Sequence, residues 1–549
     1  MRCDVAIIGG GPAGLTLAVE LGRRNVSCLV LDNKPGTTTN PQANATQART
    51  MEHFRRLGFA HEIRRMGLPP AYPTDVAFFT RYSQYELARF RMPPASEVAD
   101  IARRSGGSWS TAELPHRCSQ LFLEPVMRRH AEANPSVEVR FNRQVLSVAQ
   151  DAEGVTIDVE GTDGSGREQV RARYAVGCDG PRSLTRRTLD IGMEGESRVV
   201  RNWMGGKMYA TYFRSRALYE MIRGDRAWMY LAFNRDRRSF MAAIDGREEF
   251  VFHSQFHPGE DDEHVSDERA YFMFTQALGA QCPIEKISAT SWHAGHALVA
   301  ERFSDRRIFL AGDAAHLFTP TGGLGYNTAV EDVANLGWKL AAVVNGWAPP
   351  ALLESYHLER HPVARRNTDR ARAFAHNIGN FLPDPMLEDV GAAGDAARAA
   401  AGRFLHEHLS REFNIPGITF GGRYDGSPIV TSDGTVPPPD DVTTYVPTAC
   451  PGGRAPHGWL PDGRSLFDCF GPEFTLLAMN DEVADVEGAG RRTGVPLSLV
   501  HLPGAGLRSL YEADFALVRP DQHVAWRADS LSGLETALLR ATGRDAVRS

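Results

Sequence analysis

The sequence predicts an α/β protein in which a doubly wound domain around a parallel sheet is interrupted by an antiparallel sheet and followed by a smaller C-terminal domain. Three observations support this prediction. A β-rich run, a helical run and a second β-rich run open the chain over residues 3–32. Three apolar runs rich in aromatic residues lie between residues 226 and 256. A segment crowded with Gly, Pro, Asp and Thr, residues 421–455, then separates the C-terminal residues from the rest.

The order of apolar runs predicts the elements one by one, because helices and strands differ in their apolar period. The opening unit is a strand, a helix and a strand: Cys3–Gly9, Pro12–Arg24 and Val26–Asp32. An Asp245-Gly246 pair is a hairpin-turn signal within the aromatic-rich sheet Arg226–Phe256. The other predicted strands are Val137–Phe141, Gly154–Glu160, Ala172–Gly177, Ile308–Ala311, Phe474–Met479, Leu497–Leu502, Asp514–Val518 and His523–Arg527, and the other helices are Leu121–Ala133, Thr328–Asn345, Leu352–Asn377 and Leu531–Ala541.

Composition and charge narrow the classes of function. The 549 residues include 61 Lys and Arg against 67 Asp and Glu, and the arginines are scattered, so no nucleic-acid surface is predicted. The seven cysteines lack CxxC spacing, and His293 and His296 have no partner at metal-ligand spacing, which indicates reduced thiols and no metal site. There is no signal-peptide pattern and no apolar run of about 18 residues. We therefore expect a cytoplasmic protein without membrane contact.

The first motif is a G-x-G-x-x-G sequence between the first strand and the first helix. This spacing gives a tight turn and lets backbone N–H groups approach a pyrophosphate. Asp32 ends the second strand, where an acidic side chain can bind a ribose hydroxyl. The alternative is a tight turn with a surface aspartate. The predicted cofactor contacts here are Gly9, Gly11, Pro12, Ala13, Gly14, Asp32 and Asn33.

The second motif follows the strand that ends at Ala311. An aspartate at the carboxyl end of a buried strand suits a hydroxyl-rich partner such as the ribityl chain of a flavin. The glycine turn after it opens a helix, whose positive end favours an anionic reduced isoalloxazine ring. The alternative is a helix cap followed by a loop. The predicted cofactor contacts are Asp313, Pro320, Gly323, Gly325, Tyr326 and Asn327.

The third motif is Cys178-Asp-Gly-Pro-Arg-Ser183, which comes directly after the predicted strand Ala172–Gly177. On its own this segment is compatible with an ordinary Asp-Gly turn.

The order of the three motifs resembles that of the class A flavoprotein aromatic monooxygenases, over essentially the whole chain. Arg49 and Gln120 resemble FAD-contacting positions of that family, and Tyr356–Val363 also fits it. The resemblance also implies that Asp179 contacts the cofactor, because it lies in the motif that the family uses for both FAD and the nicotinamide. The resemblance implies an FAD-binding doubly wound domain (Rossmann-like, GR2-type) with an inserted substrate-binding antiparallel sheet. Residues 1–180 and 301–420 would form the FAD-binding domain, 181–300 the substrate sheet, 421–455 a linker and 456–549 the C-terminal domain.

The C-terminal part narrows the resemblance to the phenol hydroxylase branch. Tyr424–Pro428, Pro451–His457 and Trp459-Leu460 resemble segments of that branch, in which a thioredoxin-like domain ends the chain. This chain has a lone Cys469 and no CxxC in that domain, so redox activity is not expected. We expect the domain to serve packing or dimerisation, and a homodimer is the expected assembly.

The resemblance implies that NAD(P)H reduces FAD, that O₂ adds at the flavin C4a, and that the hydroperoxide hydroxylates a small phenolic substrate. We predict three residues at the reacting end of the site. Asn44 stands where relatives carry an Asp or His that activates the substrate hydroxyl; an amide cannot act as a base but can orient that hydroxyl. Tyr230 is predicted to contact the phenol, and Pro320 to lie beside the flavin edge.

Two other functions remain open from sequence. A tailoring oxygenase of a polycyclic polyketide or quinone shares every cofactor motif and differs only in the volume of its pocket. A non-catalytic flavin-binding protein with the C-terminal domain as its interaction module is disfavoured by the intact glycine turn. A flavin-dependent halogenase is disfavoured because the chain has no Trp-x-Trp-x-Ile-Pro segment.

Overall fold

The computed structural model describes residues 1–197, 206–257, 259–261, 263–293, 295–482, 485–504 and 506–544. Its strands are Arg2–Ile8, Cys28–Leu31, Ala45–Thr46, Val76–Phe79, Glu86–Phe90, His116–Arg117, Val137–Arg140, Arg143–Gln150, Val155–Gly161, Glu168–Gly177, Met193–Glu196, Lys207–Arg214, Met229–Phe233, Arg238–Ala243, Glu249–Gln255, Glu285–His293, Ala297–Ala300, Ser304–Asp305, Ile308–Leu310, His316–Leu317, Phe474–Ala478, Leu497–His501, Phe515–Val518 and Val524–Ala528. Its α-helices are Pro12–Gly22, Ala48–Leu57, Ala60–Arg64, Val98–Arg104, Gln120–Glu132, Leu184–Thr188, Leu218–Met221, Asp267–Leu278, Leu324–Val344, Ser355–Gly379, Ala392–Phe413, Pro416–Phe420, Val486–Thr493, Arg508–Tyr511 and Leu534–Ala541.

The first sheet brings three distant segments of the chain to one edge. Strand Arg2–Ile8 lies between Cys28–Leu31 and Glu168–Gly177, and Ile308–Leu310 pairs with the far side of Glu168–Gly177. All these pairings are parallel, so the carboxyl ends of the four strands meet at the same edge. We call this the carboxyl edge; the residues that follow the strands there are Gly9, Asp32, Cys178 and Ala311.

The second sheet is the one that the aromatic-rich runs predict, and it is antiparallel except where Met229–Phe233 pairs in parallel with Val76–Phe79. Its strand order is Glu285–His293, Lys207–Arg214, Glu249–Gln255, Arg238–Ala243, Met229–Phe233, Val76–Phe79 and Glu86–Phe90. The predicted hairpin at Asp245-Gly246 is confirmed, since the Asp245 carboxylate accepts the N–H groups of Arg247, Glu248 and Glu249. Gly246 has a φ of 67° there, a conformation that glycine adopts readily.

The two faces of this sheet meet different neighbours. Phe252, on one face, packs against Phe274 of helix Asp267–Leu278, with ring centroids 5.5 Å apart. Val251, on the other face, clusters with Tyr212, Ala242 and Ile244 against Leu121 and Phe122 of helix Gln120–Glu132. We call this second face the inner face; because side chains alternate along a strand, it also carries His253 and its cross-strand neighbour Phe240. The inner face is turned towards the first domain, to which helix Gln120–Glu132 belongs.

The C-terminal domain has its own sheet in the order Leu497–His501, Phe474–Ala478, Phe515–Val518, Val524–Ala528. The first pair is parallel and the other two pairs are antiparallel. Helices Val486–Thr493 and Leu534–Ala541 bury their apolar side chains in the same core as Trp338 of the first domain. The predicted fold class is therefore confirmed: a doubly wound domain, an inserted antiparallel sheet and a C-terminal α/β domain.

Several helices differ from the sequence prediction, and Asp267–Leu278, for example, was not predicted. The predicted helix Thr328–Asn345 begins four residues earlier, at Leu324, because Gly323 takes a left-handed conformation and the helix starts directly after it. Gly325 then lies inside the first turn, a position that the sequence pattern assigns to a loop. The alanine-rich helix Ala392–Phe413 was not predicted, since its apolar residues are small and give little contrast between its faces.

A buried ionic cluster joins the C-terminal domain to the first domain. Glu359 accepts hydrogen bonds from Arg519 at 2.6 and 2.8 Å and from Lys339 at 2.6 Å, and all three side chains are fully buried. Asn335 and Ser427 donate to the same carboxylate at 2.7 and 2.6 Å. Buried charges are tolerated only when they are paired and hydrogen-bonded, so this cluster fixes how the two domains meet.

Two further buried glutamates lie at the same boundary. Glu52 binds Arg454 and also Arg49, with Glu52 and Arg454 almost completely shielded from solvent. Glu20 binds Arg24 at 2.7 Å, and Arg24 in turn binds Glu473 of the C-terminal domain at 2.9 Å. The interface is therefore ionic as well as apolar.

The described part of the chain has neither a membrane-spanning helix nor a group of metal-binding side chains. None of its helices combines the length and the apolar character that crossing a bilayer requires. Nor does it contain a cluster of three or more His, Cys, Asp or Glu side chains that could hold a metal ion.

Substitution of Glu359 tests the ionic cluster. Glu359→Gln leaves Arg519 and Lys339 buried without their shared counter-charge, which costs about 3–5 kcal/mol for a buried pair. We expect a clear fall in the urea midpoint of unfolding, followed by tryptophan fluorescence. The control Glu132→Gln breaks an exposed pair with Arg128 and should change stability by less than about 1 kcal/mol. Equal midpoints for the two variants would contradict this assignment.

Acidification tests the same boundary. Burial alone would raise the carboxyl pKa of Glu20, Glu52 and Glu359, but the cationic side chains beside each of them hold it at about 2, against 4.5 in an unfolded chain. Groups with a lowered native pKa stabilise the fold above the unfolded value, and this contribution is lost as the pH falls through the native value. We expect the free energy of unfolding to fall steeply between pH 4.5 and 2, and a flat profile over that range would refute the prediction.

Candidate functional site

The carboxyl edge begins with a cradle made of three glycines. A Cβ on Gly9 would lie 2.2 Å from the carbonyl oxygen of Cys178, and a Cβ on Gly14 would lie 1.9 Å from the carbonyl oxygen of Gly9. Neither position can therefore carry a side chain. Gly11 is the N-cap of helix Pro12–Gly22, where the described residues supply no capping side chain and space around the glycine is open. An uncapped helix N-terminus lined by glycine fits a phosphate group.

Asp32 lies at the side of this cradle, as predicted from its place at the end of the second strand. Its carboxylate is buried and accepts the Gly10 N–H at 2.7 Å and the Lys34 N–H at 2.8 Å. These bonds fix the orientation of the carboxylate and leave lone pairs for a further donor such as a ribose hydroxyl. Asn33 is turned away from it, because its amide donates to Gln144 at 3.1 Å.

The Asp179 motif forms an ordered turn at the same edge. The Asp179 carboxylate accepts from the Ser183 hydroxyl at 2.5 Å and from the Thr185 N–H at 2.9 Å. Arg186, in the helix that follows, donates to the carbonyl oxygen of Ala314 at 3.0 Å. The turn is thus tied to the segment that contains Asp313. Sequence reasoning missed Arg186, since its partner is a backbone carbonyl 128 residues away.

Asp313 follows the strand Ile308–Leu310 and differs from the other aspartates at this edge. Its side chain is exposed, although the protein around it raises the pKa of the carboxyl by desolvation. The carboxylate is thus accessible, although the protein around it limits its contact with water. No other described residue hydrogen-bonds this carboxylate. An open acceptor of this kind fits a chain of ligand hydroxyl groups.

A fully buried triad holds the backbone around Asp313. Asp332 accepts from His316 at 2.6 Å and from Arg360 at 2.9 Å, and its carboxylate also accepts the Gly312 N–H at 3.2 Å. Burial alone would raise the pKa of Asp332, but His316 and Arg360 hold it below the usual value. Asp332 therefore stays ionised and ties the turn at Gly312 to helix Leu324–Val344. No local motif points to Asp332, so sequence reasoning missed it.

The glycine turn opens this same helix. Gly322 and Gly323 have φ values of 71° and 61°, which side-chain-bearing residues rarely adopt. Pro320 precedes them and is exposed. Within the described residues the helix N-terminus at Leu324 has no capping side chain, so the N–H groups of its first turn, including that of Gly325, stay available. They can stabilise negative charge on a bound ring.

Asn327 holds the turn against the strand Ala45–Thr46 and the residue that follows it. Its amide donates to the carbonyl oxygens of Ala45 and Gly323, at 2.9 and 2.6 Å, and its Oδ1 accepts the Gln47 N–H at 2.8 Å. The Gln47 side chain returns a bond to the Gly322 carbonyl at 2.9 Å. Sequence reasoning missed Gln47, which acts through the turn. Tyr326 instead directs its hydroxyl into a buried position.

Gln120 and Arg49 have different surroundings from each other. Gln120 begins helix Gln120–Glu132; its N–H donates to the Ala43 carbonyl at 2.7 Å and its amide to Glu124 at 2.6 Å. It therefore lies beside the loop that contains Asn44. Arg49 is predicted to contact the cofactor; its buried guanidinium donates to Gln522 and to the Asp521 carbonyl, both at 2.7 Å, so it lies at the C-terminal interface.

The prediction that Tyr230 contacts the substrate is wrong. Tyr230 is fully buried, and its hydroxyl accepts the Ala227 N–H at 2.8 Å. Its ring packs among Phe79 and Tyr82, with centroids about 6 Å away. Alternation along the strand places it on the face of the sheet opposite Phe240, which the sequence alone could not show.

The inner face of the antiparallel sheet adjoins the glycine turn. Ser288 on this face donates to Asn40, a few residues before Asn44. Ala45 packs against the cluster that contains Phe240 and the neighbouring Trp292, and a Cβ on Gly323 would come within 3.0 Å of Ala45. Asn44 itself is partly exposed and donates to the Gln42 carbonyl at 3.4 Å. Ala45 thus links the glycine turn to the aromatic side chains of the sheet.

Comparison with known proteins agrees with this arrangement. Residues 2–371 match a family model described as an FAD binding domain, and residues 448–545 match one described as aromatic-ring hydroxylase, C-terminal. A putative polyketide hydroxylase of Streptomyces halstedii is 32% identical, over 96% of this chain and 93% of that protein. Phenol 2-monooxygenase of a Pseudomonas species is 28% identical, over 98% and 92%. The solved structure of RebC with bound 7-carboxy-K252c superposes with a TM-score of 0.88 at 33% identity, over 99% of both chains.

The glycine cradle yields a direct prediction. Gly14→Ala places a Cβ 1.9 Å from the Gly9 carbonyl oxygen, so the turn must open. We expect the purified variant to lose most of its FAD, measured as flavin absorbance per mole of protein. The control is Gly106→Ala, because Gly106 has a φ of −144° and a Cβ there meets nothing within 4 Å. Full FAD content in the Gly14→Ala protein would show that the cradle is not the cofactor site.

Proposed function

Since the chain belongs to the FAD-dependent aromatic-ring hydroxylases, we propose that it hydroxylates a small phenolic aromatic compound with NAD(P)H and O₂. One observation carries the choice of an aromatic substrate: the uncapped N-terminus of helix Leu324–Val344 lies next to Ala45, which packs against the aromatic cluster of the sheet. A ring bound beside the glycine turn would therefore lie close to aromatic side chains.

The residues at the carboxyl edge fit FAD part by part, and we propose the following roles for them. The backbone of Gly9, Gly11, Pro12, Ala13 and Gly14 would hold the pyrophosphate, and Asp32 the adenosine ribose. The open carboxylate of Asp313 would accept from the ribityl hydroxyls, while Asp179 orders the turn beside it. FAD, when bound, supplies electron transfer from the nicotinamide and oxygen activation.

The first turn of helix Leu324–Val344 provides the electrostatic contribution of the protein. Its N–H groups, from Leu324 to Asn327, lie at the positive end of the helix dipole and favour negative charge on the pyrimidine side of the ring. Gly323 and Gly325 keep side chains away from that surface. Asn327 and Gln47 hold the turn in place through four hydrogen bonds, so the donors need no rearrangement when charge develops.

Asn44 and Pro320 complete the proposed reacting end. Asn44 would orient the substrate hydroxyl by a hydrogen bond, because an amide has no proton-accepting role at neutral pH. The Pro320 carbonyl would lie beside the ring edge at the start of the glycine turn. The apolar inner face keeps water away from the reacting centre, which prevents loss of activated oxygen as peroxide.

A second candidate substrate is a polycyclic polyketide or quinone. It is supported by the similarity to a polyketide hydroxylase at 32% identity, slightly above the 28% identity to a phenol monooxygenase. The inner face also offers several aromatic rings side by side, Phe240, His253 and Trp292, which suits a fused ring system better than a single ring.

Turnover of the purified holoprotein tests the proposal. We expect NAD(P)H oxidation that is stimulated by a phenol, naphthol or hydroxyquinone, with one ¹⁸O atom from ¹⁸O₂ in the product. Monocyclic phenols as the preferred substrates would support the first candidate, and hydroxyquinones or larger fused rings the second. The control is Gly14→Ala protein, which should show neither reaction. FAD-containing wild-type protein that oxidises NAD(P)H at the same slow rate with every compound would refute the proposed function in favour of a flavin-binding role.

A further inference from the structure

We propose that His253 selects oxygenated rings by donating a hydrogen bond from its Nε2–H to an oxygen of the bound substrate, and that Trp292 holds the imidazole in the required tautomer. The inference rests on the proposed function, because it requires an aromatic substrate against the inner face. The substrate class it names is an aromatic ring bearing an acceptor oxygen: a phenol, a phenolate or a quinone carbonyl.

The tautomer follows from the partner of the ring. The indole Nε1 of Trp292 lies 3.1 Å from Nδ1 of His253. An indole N–H can only donate, so Nδ1 of His253 must be the acceptor. The proton of the neutral imidazole is then on Nε2. Trp292 therefore decides which nitrogen of His253 is the donor.

The imidazole is also neutral. His253 is enclosed among apolar side chains, and this burial lowers its pKa to about 3. Near neutral pH the ring therefore carries one N–H, on Nε2, and no charge. It is suited to hydrogen-bond an oxygen acceptor and not to form an ion pair with a carboxylate.

Two aromatic contacts fix the position of the ring. The His253 ring stacks on Phe240 with centroids 4.2 Å apart and an interplanar angle of 12°. Trp292 meets it edge-on, at 5.6 Å and 88°. Phe240 belongs to the strand next to that of His253, and Trp292 belongs to the second strand on the other side. Rotation of the imidazole would therefore disrupt the packing of the sheet.

The Nε2–H has no hydrogen-bond acceptor among the described residues, and it is not one of the polar atoms sealed from solvent. The residue keeps 8% of its surface exposed, as does Phe240 beside it. Both lie on the inner face, whose Ser288 donates to Asn40 of the loop that contains Asn44. A donor that is largely desolvated but unpaired is costly unless a ligand completes it. A substrate oxygen would do so while the substrate ring packs on the adjacent aromatic side chains.

Two amide substitutions of His253 test which of its ring nitrogens binds the substrate oxygen. Glutamine places its Nε2 amide near the position of the His253 Nε2, whereas the shorter asparagine reaches only the Nδ1 position. The probes are 1-naphthol and 1-methylnaphthalene, which match in size and differ in the oxygen. Their dissociation constants are measured from the change that each causes in the FAD absorbance of the holoprotein.

We expect wild-type protein and His253→Gln to bind 1-naphthol about tenfold more tightly than 1-methylnaphthalene, the effect of one hydrogen bond. His253→Asn should bind both probes alike. Equal binding of the probes by wild-type protein, failure of wild-type protein to bind 1-naphthol, or a preference that survives in His253→Asn would each overturn the proposal.

The tautomer of His253 can also be measured in wild-type protein without a ligand, so the test does not depend on the folding of the His253 variants. The ¹⁵N shifts of His253 in wild-type holoprotein should show the neutral Nε2–H form from pH 5 to 8, and Trp292→Phe should introduce the other tautomer. An Nδ1–H form in wild-type protein would refute the inference. Absence of the naphthol preference in wild-type protein that still turns over would overturn this proposal alone. A preference in wild-type protein without any substrate-stimulated NAD(P)H oxidation would overturn the proposed function.

Discussion

The structure depends on one constraint: helix Leu324–Val344 carries polar side chains that are fully buried and must be paired. Asp332 pairs with His316 and Arg360 and holds the turn at Gly312, while Lys339 pairs with Glu359. The N-terminus of the same helix stays open at the glycine turn. Because the helix is fixed along its length, the donors of its first turn have a defined position relative to the carboxyl edge.

The C-terminal domain takes part in this arrangement through two buried arginines. Arg519 and Arg454 reach into the first domain and neutralise Glu359 and Glu52. Cys469 is a lone thiol whose pKa is raised by burial, so it is poorly suited to act as a thiolate. The domain thus supports the helix that presents the glycine turn. This gives a physical reason for a domain that contributes no predicted cofactor ligand to be joined so tightly to the rest.

The aromatic side chains on the two faces of the second sheet have different roles. One face, with Tyr230 and Phe252, is closed by packing and makes the second core. The inner face keeps Phe240 and His253 slightly exposed. The same composition therefore provides both stability and a surface for a flat ligand, and only the direction of each side chain separates them.

The sequence by itself determined the fold class, the three glycine and aspartate motifs and the identity of the cofactor, because each of these depends on residues that are close along the chain or follow a strand end. Parallel pairing then brings Gly9, Asp32, Cys178 and Ala311 together, as strand order requires. Only the tertiary structure decided the rest. Arg49 turns to the C-terminal domain, Tyr230 faces the core, and Asp332 and Trp292 gain their roles from partners distant in sequence. Alternation along a strand shows that two faces exist, but which face meets the cofactor depends on how the domains pack.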